Sequence, residues 1–264
     1  MIDIASYQAT IDLDAVFAQN ELDGVIVKAT QGLKYVNPHC DKWVQWLIKH
    51  DKPWGFYHYL DSTDPVAEAK RFVNDTINYF GAGVPCADYE GNIVQAYGTY
   101  YLRRWLETVY AETGVKPLVY CNLSTIQSDV NGFKTIAEAG YKLWLAQYAS
   151  NTQQVGFLPH PWQKGSYEPF KKITMHQYSG NGKINGYTGA VDLDIFYGTE
   201  AEWKELAGYK AAPEPEPAPT PTPEPDPTES IALLRSRLIK YMRKKISEDL
   251  DLLTFLEDWE ASEK

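Results

Sequence analysis

Cysteine is scarce in this 264-residue chain: Cys40, Cys86 and Cys121 are the only three. None stands in a C-x-x-C or Cys/His spacing, so neither a disulfide framework nor a sulfur-based zinc site is expected. Buried free thiols are the expectation. There is no run of 18 apolar residues to form a membrane-spanning helix. There is also no charged n-region and apolar h-region ahead of the strand-like Met1–Ala5, which predicts a chain without a secretory signal. Bases are outnumbered by acids, for a net charge of −10. That balance argues against nonspecific binding to nucleic acid or to an anionic membrane surface. Three signatures are absent: the G-x-G-x-x-G dinucleotide turn, the H-E-x-x-H zinc motif and the G-x-S-x-G nucleophile elbow. His39, His50, His58, His160 and His176 are scattered and read as structural. Gly180-Asn181-Gly182-Lys183 lacks the Ser/Thr of a phosphate loop and reads as a turn. No metal and no cofactor is expected.

Against these absences stand 19 tyrosines and 8 tryptophans. Such side chains join a flat apolar face to a polar edge, which suits both cores and sugar rings. Proline is concentrated in Ala211–Thr228, AAPEPEPAPTPTPEPDPT, an extended acidic spacer. It divides the chain into a domain over 1–210, a linker over 211–228 and a tail over 229–264. In the first domain eight strand-like runs occur: Ile2–Ala5, Gly24–Ala29, Trp54–Tyr59, Val84–Tyr89, Leu118–Cys121, Lys142–Gln147, Ile173–Tyr178 and Ala190–Phe196. Helical patterns at Leu13–Asn20, Pro38–His50, Pro65–Phe80 and Ile93–Thr113 separate the early ones, the last ended by Gly114. This alternation predicts βαβ units in a parallel sheet, closed as a small α/β barrel whose later helices are short or missing. An open doubly wound sheet is the competing arrangement.

Barrel enzymes draw their reactive groups from the C-terminal ends of several strands. Asp3 lies in the first predicted strand, Asp88 and Glu90 finish the fourth, and Asp192 and Asp194 lie in the eighth, next to the first on closure. Two residues apart, Asp88 and Glu90 share one face of an extended strand, with Cα atoms roughly 6.6 Å apart. Mutual repulsion in a buried mouth would raise one pKa, giving a general acid beside an ionised partner. Alternatively the pair caps turns or neutralises Lys28 or Arg103.

Seven stretches in register resemble the glycoside hydrolase family 25 lysozymes. They are Asp3-Ile4-Ala5-Ser6-Tyr7-Gln8, Val27-Lys28-Ala29-Thr30-Gln31-Gly32, Gly55-Phe56-Tyr57-His58-Tyr59, Asp88-Tyr89-Glu90, Leu143-Trp144-Leu145-Ala146-Gln147-Tyr148, Gln177-Tyr178-Ser179 and Val191-Asp192-Leu193-Asp194-Ile195-Phe196. The resemblance implies a TIM-like (β/α)5(β)3 barrel that hydrolyses the β-1,4 bond from N-acetylmuramic acid to N-acetylglucosamine in bacterial peptidoglycan. It implies Glu90 as general acid. Asp88 would stabilise the oxazolinium-like or oxocarbenium-like centre, and Asp3 and Asp192 would complete the acidic cluster. Tyr57, Tyr59, Trp144, Tyr148 and Gln177 are the candidate substrate-binding residues. Gln31 stands where the family often has Glu, Asp194 where Asn is frequent, and Met175-His176 replace an aromatic pair. Retention and inversion both remain open at this level.

A wall substrate without a secretory signal suggests a phage-type endolysin, made in the host cytoplasm and released at lysis. A non-catalytic peptidoglycan-binding relative and a chitin-type glycosidase are the alternatives. In the tail, Ile231, Leu234, Leu238, Tyr241, Ile246, Leu250, Leu253 and Leu256 recur near helical period, with a basic run before an acidic one. One helix cannot bury that stripe alone, so residues 229–264 are read as a self-associating module, with wall binding as the rival.

Overall fold

The computed structural model describes residues 1–209 together with Ile239 and Lys240. The linker over 211–228 and the rest of the tail lie outside the described residues. Met1–Lys210 forms one compact unit. Its elements run β1 (Ile2–Ile4), α1 (Leu13–Gln19), β2 (Val25–Gln31), β3 (Tyr35–Val36), α2 (Cys40–Lys49), β4 (Trp54–Tyr59), α3 (Pro65–Thr76), β5 (Val84–Asp88) and α4 (Asn92–Thr113). They continue with β6 (Leu118–Asn122), α5 (Leu123–Ser128), α6 (Val130–Glu138), β7 (Leu143–Ala146), β8 (Gln154–Val155), β9 (Ile173–Lys183), β10 (Val191–Phe196) and α7 (Glu200–Leu206).

Eight of the strands close a barrel. The pairs β1–β2, β2–β4, β4–β5, β5–β6, β6–β7 and β7–β9 are parallel, and β10 joins β9 to β1 with antiparallel ladders on both sides. Five βα units followed by three strands is the expected arrangement, and closure excludes the open sheet. The fully parallel sheet fails at β10. Only residues 184–190 connect it to β9, with no helix to carry the chain back, so the strand returns as a hairpin.

Helix starts follow local chemistry. Asp64 accepts bonds from the amides of Val66 and Ala67 at 3.0 Å each, and Pro65 occupies the first turn of α3. The end of α4 falls at Gly114, which adopts φ +70°. Gly98 interrupts the same helix at φ +60°, a kink the apolar period does not reveal. Helices α5, α6 and α7 also escape the sequence reading, being only 6, 9 and 7 residues long. Gly180–Lys183, read as a turn, instead extends β9 and pairs with β8 and β10. The reason is tertiary: Gly182 packs against Leu193, where a Cβ would come within 2.4 Å of the Leu193 side chain.

Strand alternation sorts the core into two layers. Val25, Val27, Phe56 and Leu145 point outward to meet Trp43, Phe72 and Trp105 of the helices. Ile26, Val84, Cys86, Leu118 and Met175 point inward, where Trp203 and Leu206 of α7 close the lower end. All three thiols are free and buried, as expected.

Candidate active site

The upper end of the barrel interior is polar because the inward row of each strand changes character there. Asp3, Tyr57, Asp88, Glu90, Tyr120, Trp144, Gln177 and Asp192 line one cavity of about 90 Å³. That is space for a few waters or one acetamido group, so a sugar ring must lie across the mouth. A larger recess of about 1010 Å³ lies at the opposite end, around Met1, Asp23, Pro53 and Phe196. Its acids do not converge, and the chemistry-bearing groups are gathered in the smaller cavity.

Strand β5 stops at Asp88, so Glu90 is not within the strand as predicted. The reason is Gly91, which turns the chain at φ +66° and leaves no room for a Cβ, 2.6 Å from the Tyr59 hydroxyl. The alternation nevertheless outlasts the ladder. Tyr89 donates its amide to Tyr120 O at 2.9 Å and buries its ring outward. Asp88 and Glu90 therefore face the same cavity. Asp3 and Asp192 are direct cross-strand partners in the β1–β10 ladder. Chain closure thus brings the four predicted carboxyls together from β1, β5 with its extension, and β10.

Burial raises the pKa of every carboxyl in this set. Asp88 moves well up, through desolvation first and then repulsion from Glu90. Glu90 also rises by desolvation, against a downward pull from Lys28. The charge state of each depends on that of the other, so the two titrate together. Asp192 is pushed up to about 8 by burial, then by Asp3 and Glu90. Asp3 rises well above the carboxylate range through burial and then Asp194. The Asp88 Oδ1 atom is buried without a hydrogen-bond partner. Asp88 itself lines the cavity, together with the Tyr57 hydroxyl and the other three carboxyls.

Gln177 organises the wall. Its Oε1 accepts from the hydroxyls of Tyr120, at 2.8 Å, and Tyr148, while its Nε2 donates to Asp3 Oδ2 at 2.7 Å. Trp144, only 2% exposed, meets Tyr120 and Tyr57 edge-on and donates Nε1 to Asp194 Oδ1 at 2.9 Å. It is a floor residue, too buried to stack on a sugar. Tyr57 is nearly as buried and feels all four carboxyls, whereas Tyr59 and Tyr148 are half-exposed. Tyr59 carries Lys28 Nζ 4.7 Å above its ring. That ammonium donates to Gln31 Oε1 at 2.7 Å, and Gln31 Nε2 donates to Asp61 Oδ2 at 2.9 Å. No ion pair within 4 Å forms between Lys28 and a carboxyl of the described residues, while Arg103 pairs with Glu107 at 3.7 Å on α4. Neither neutralises the Asp88–Glu90 pair by direct contact.

Sequence reasoning missed Tyr120 and left Asp194 out of the site. Tyr120 stands two residues after inward-facing Leu118, a period-2 signal that was available.

The family model described as "Glycosyl hydrolases family 25" matches residues 2–187. This chain belongs to that family. The autolytic lysozyme of Clostridium acetobutylicum is 29% identical over 198 residues, covering 74% of this chain and 55% of the relative. The lysozyme of Streptococcus phage Cp-1 is 26% identical over 186 residues, covering 65% of this chain and 52% of that protein. The chain thus spans about half the length of these two relatives. Among solved structures, the bacterial lysozyme of Streptomyces coelicolor superposes with a TM-score of 0.64 at 20% identity, over 78% of this chain and 95% of the other. That likeness is one of fold. In this member of family 25 the fold gathers the acids at the end of the barrel where the parallel strands finish, Asp192 joining them from the start of the antiparallel β10.

Proposed function

We propose that the chain is an N-acetylmuramidase, hydrolysing the β-1,4 bond between N-acetylmuramic acid and N-acetylglucosamine in peptidoglycan. One observation carries this reading: Asp88 and Glu90 open together, with Asp3 and Asp192, onto a cavity sized for an acetamido group. Both sugars of the wall strand bear that group. Its N–H is a donor for the Asp88 carboxyl, and such a bond stabilises the ionised form of Asp88. The proton of the pair then sits on Glu90, the more accessible member, within reach of the glycosidic oxygen. Glu90 protonates the leaving group, and Asp88 holds the acetamide against the developing positive charge at the anomeric carbon. Asp3 and Asp192, facing each other across β1 and β10, complete the acidic lining of the cavity around the pair. Tyr59 and Tyr148, half-exposed at the rim, are the sugar-contacting aromatics.

The likeness to lysozymes of Streptococcus phages Cp-1 and Cp-9 supports an endolysin role, with synthesis in the host cytoplasm and action on the wall after release. The apolar stripe and split charge of residues 229–264 support self-association through that segment. Mass analysis of digested Gram-positive walls tests the central reading. New reducing-end muramic acid is the expected product. Cleavage restricted to chitin-like polymer, or binding without any product, would overturn it.

A further inference from the structure

Asp194 belongs to no step of the proposed reaction, yet it is only 2% exposed, in the barrel interior above the larger lower recess that it borders. We infer that Asp194 is a positioning residue for Asp3: the two buried carboxyls share one proton, which holds Asp3 in its orientation and protonation state beneath the cavity. On the antiparallel β1–β10 pair, Asp3 stands opposite Asp192. Asp194 is two residues further on the same inward face, so it is the diagonal neighbour of Asp3. The two carboxyls are in hydrogen-bond contact.

The surrounding bonds leave one arrangement. Gln177 Nε2 occupies Asp3 Oδ2, and Trp144 Nε1 occupies Asp194 Oδ1. The remaining Asp194 Oδ2 is buried without a donor. Two ionised carboxylates in contact at this depth would repel each other with no water to screen them. One proton between them removes the repulsion and satisfies the orphan oxygen, leaving the pair at −1. The other groups facing Asp194 are the Met1 amino group on β1, Cys86 on β5, Tyr148 after β7, Tyr178 on β9 and Asp192 on β10. The Met1 amine is engaged by the backbone oxygen of Asp194 at 2.9 Å. An asparagine at 194 would serve Trp144 equally well and could donate to Asp3, so the carboxyl is needed for neither bond. What it adds is a titratable proton.

The consequence for hydrolysis rests on the muramidase reading, whereas the shared proton itself does not. Burial pushes Asp194 up to about 7. The folded state therefore keeps a proton that the unfolded chain releases above about pH 4, and stability falls as pH rises between those values. Thermal melts of the full chain from pH 4 to pH 8 test this. Asp194→Asn should gain on wild type as pH rises, by roughly 10 °C in Tm over that span. Asp194→Ala also lacks the proton but strands the Trp144 Nε1–H, so it should show the same gain on wild type with pH while melting below Asp194→Asn by a constant amount. In wall digestion, Asp194→Asn should move the pH profile to lower pH, because Asp3 gains a permanent donor and ionises sooner. A Tm offset of Asp194→Asn that stays constant with pH, or an unmoved pH profile, overturns the assignment. A wild-type chain that releases no wall product but shows the growing Tm gap would refute the muramidase reading and support the shared proton.

Discussion

Glu68 and Asp88 are carboxyls buried against opposite faces of the same barrel wall, and their surroundings differ in one respect. Glu68, wholly buried on α3, has a partner for each oxygen. Its Oε1 accepts the Asp61 amide at 2.7 Å and lies 3.2 Å from His58 Nε2, and its Oε2 accepts the Tyr101 hydroxyl at 2.5 Å. His58 in turn meets Thr30 Oγ1 at 2.7 Å and stacks on Trp105. Asp88, on the inner face, has a buried oxygen with nothing to bond. Burying a polar group without a partner is costly, so such groups persist where something else selects them. The satisfied carboxyl holds the mouth loop to the barrel. The unsatisfied one belongs to a carboxyl that lines the cavity.

Variants can break or sharpen that contrast. The largest effect is expected at Glu90→Gln, where loss of the acid should lower kcat by about 10²–10⁴-fold with the melting curve nearly unchanged. Retention of more than a tenth of the rate would remove Glu90 from the acid role. Glu68→Ala should do the reverse. Stranding His58, Tyr101 and the Asp61 amide should cost about 3–5 kcal/mol, while turnover per folded molecule, measured well below Tm, is largely kept. Equal loss of stability in Glu68→Ala and Asp88→Asn would erase the distinction between the two carboxyls. Asp88→Asn should in fact stabilise by about 1 kcal/mol at pH 7, since it removes the cost of burying an ionisable carboxyl beside Glu90, and still lose most activity. The smallest effect belongs to Lys28→Met. Lys28 pulls the Asp88–Glu90 pair downward, so its removal should move the alkaline limb of the rate profile to higher pH, readable in initial rates across pH 5–9.

Strand β4 was legible to the residue, Trp54–Tyr59, because its apolar and aromatic run is bounded by Pro53 and Leu60-Asp61. The inward pairing of Asp88 and Glu90 was legible too, since period 2 holds through Tyr89 even where the ladder ends. Helices α5 to α7 were not, because short helices in contact with a barrel owe their existence more to that contact than to a long amphipathic pattern. Trp144 was misjudged for a similar reason. A strand-end tryptophan looks the same in sequence whether its ring faces solvent or lies beneath a cavity, and only the depth of the barrel assigns it to the floor.

Local chemistry alone determined where strands alternate with helices, which side chains share a strand face, and where Pro65 and Gly114 begin and end their helices. These follow from periodicity and backbone sterics within a few residues. The tertiary structure decided that Asp3 faces Asp192, that Asp194 reaches Asp3, and that Asp88 keeps an oxygen unpaired. Those relations join residues nearly 190 positions apart and depend on β10 returning antiparallel to close the barrel. Desolvation and carboxyl repulsion arise only once that closure excludes water, so the proton affinities of the site are properties of the closed barrel.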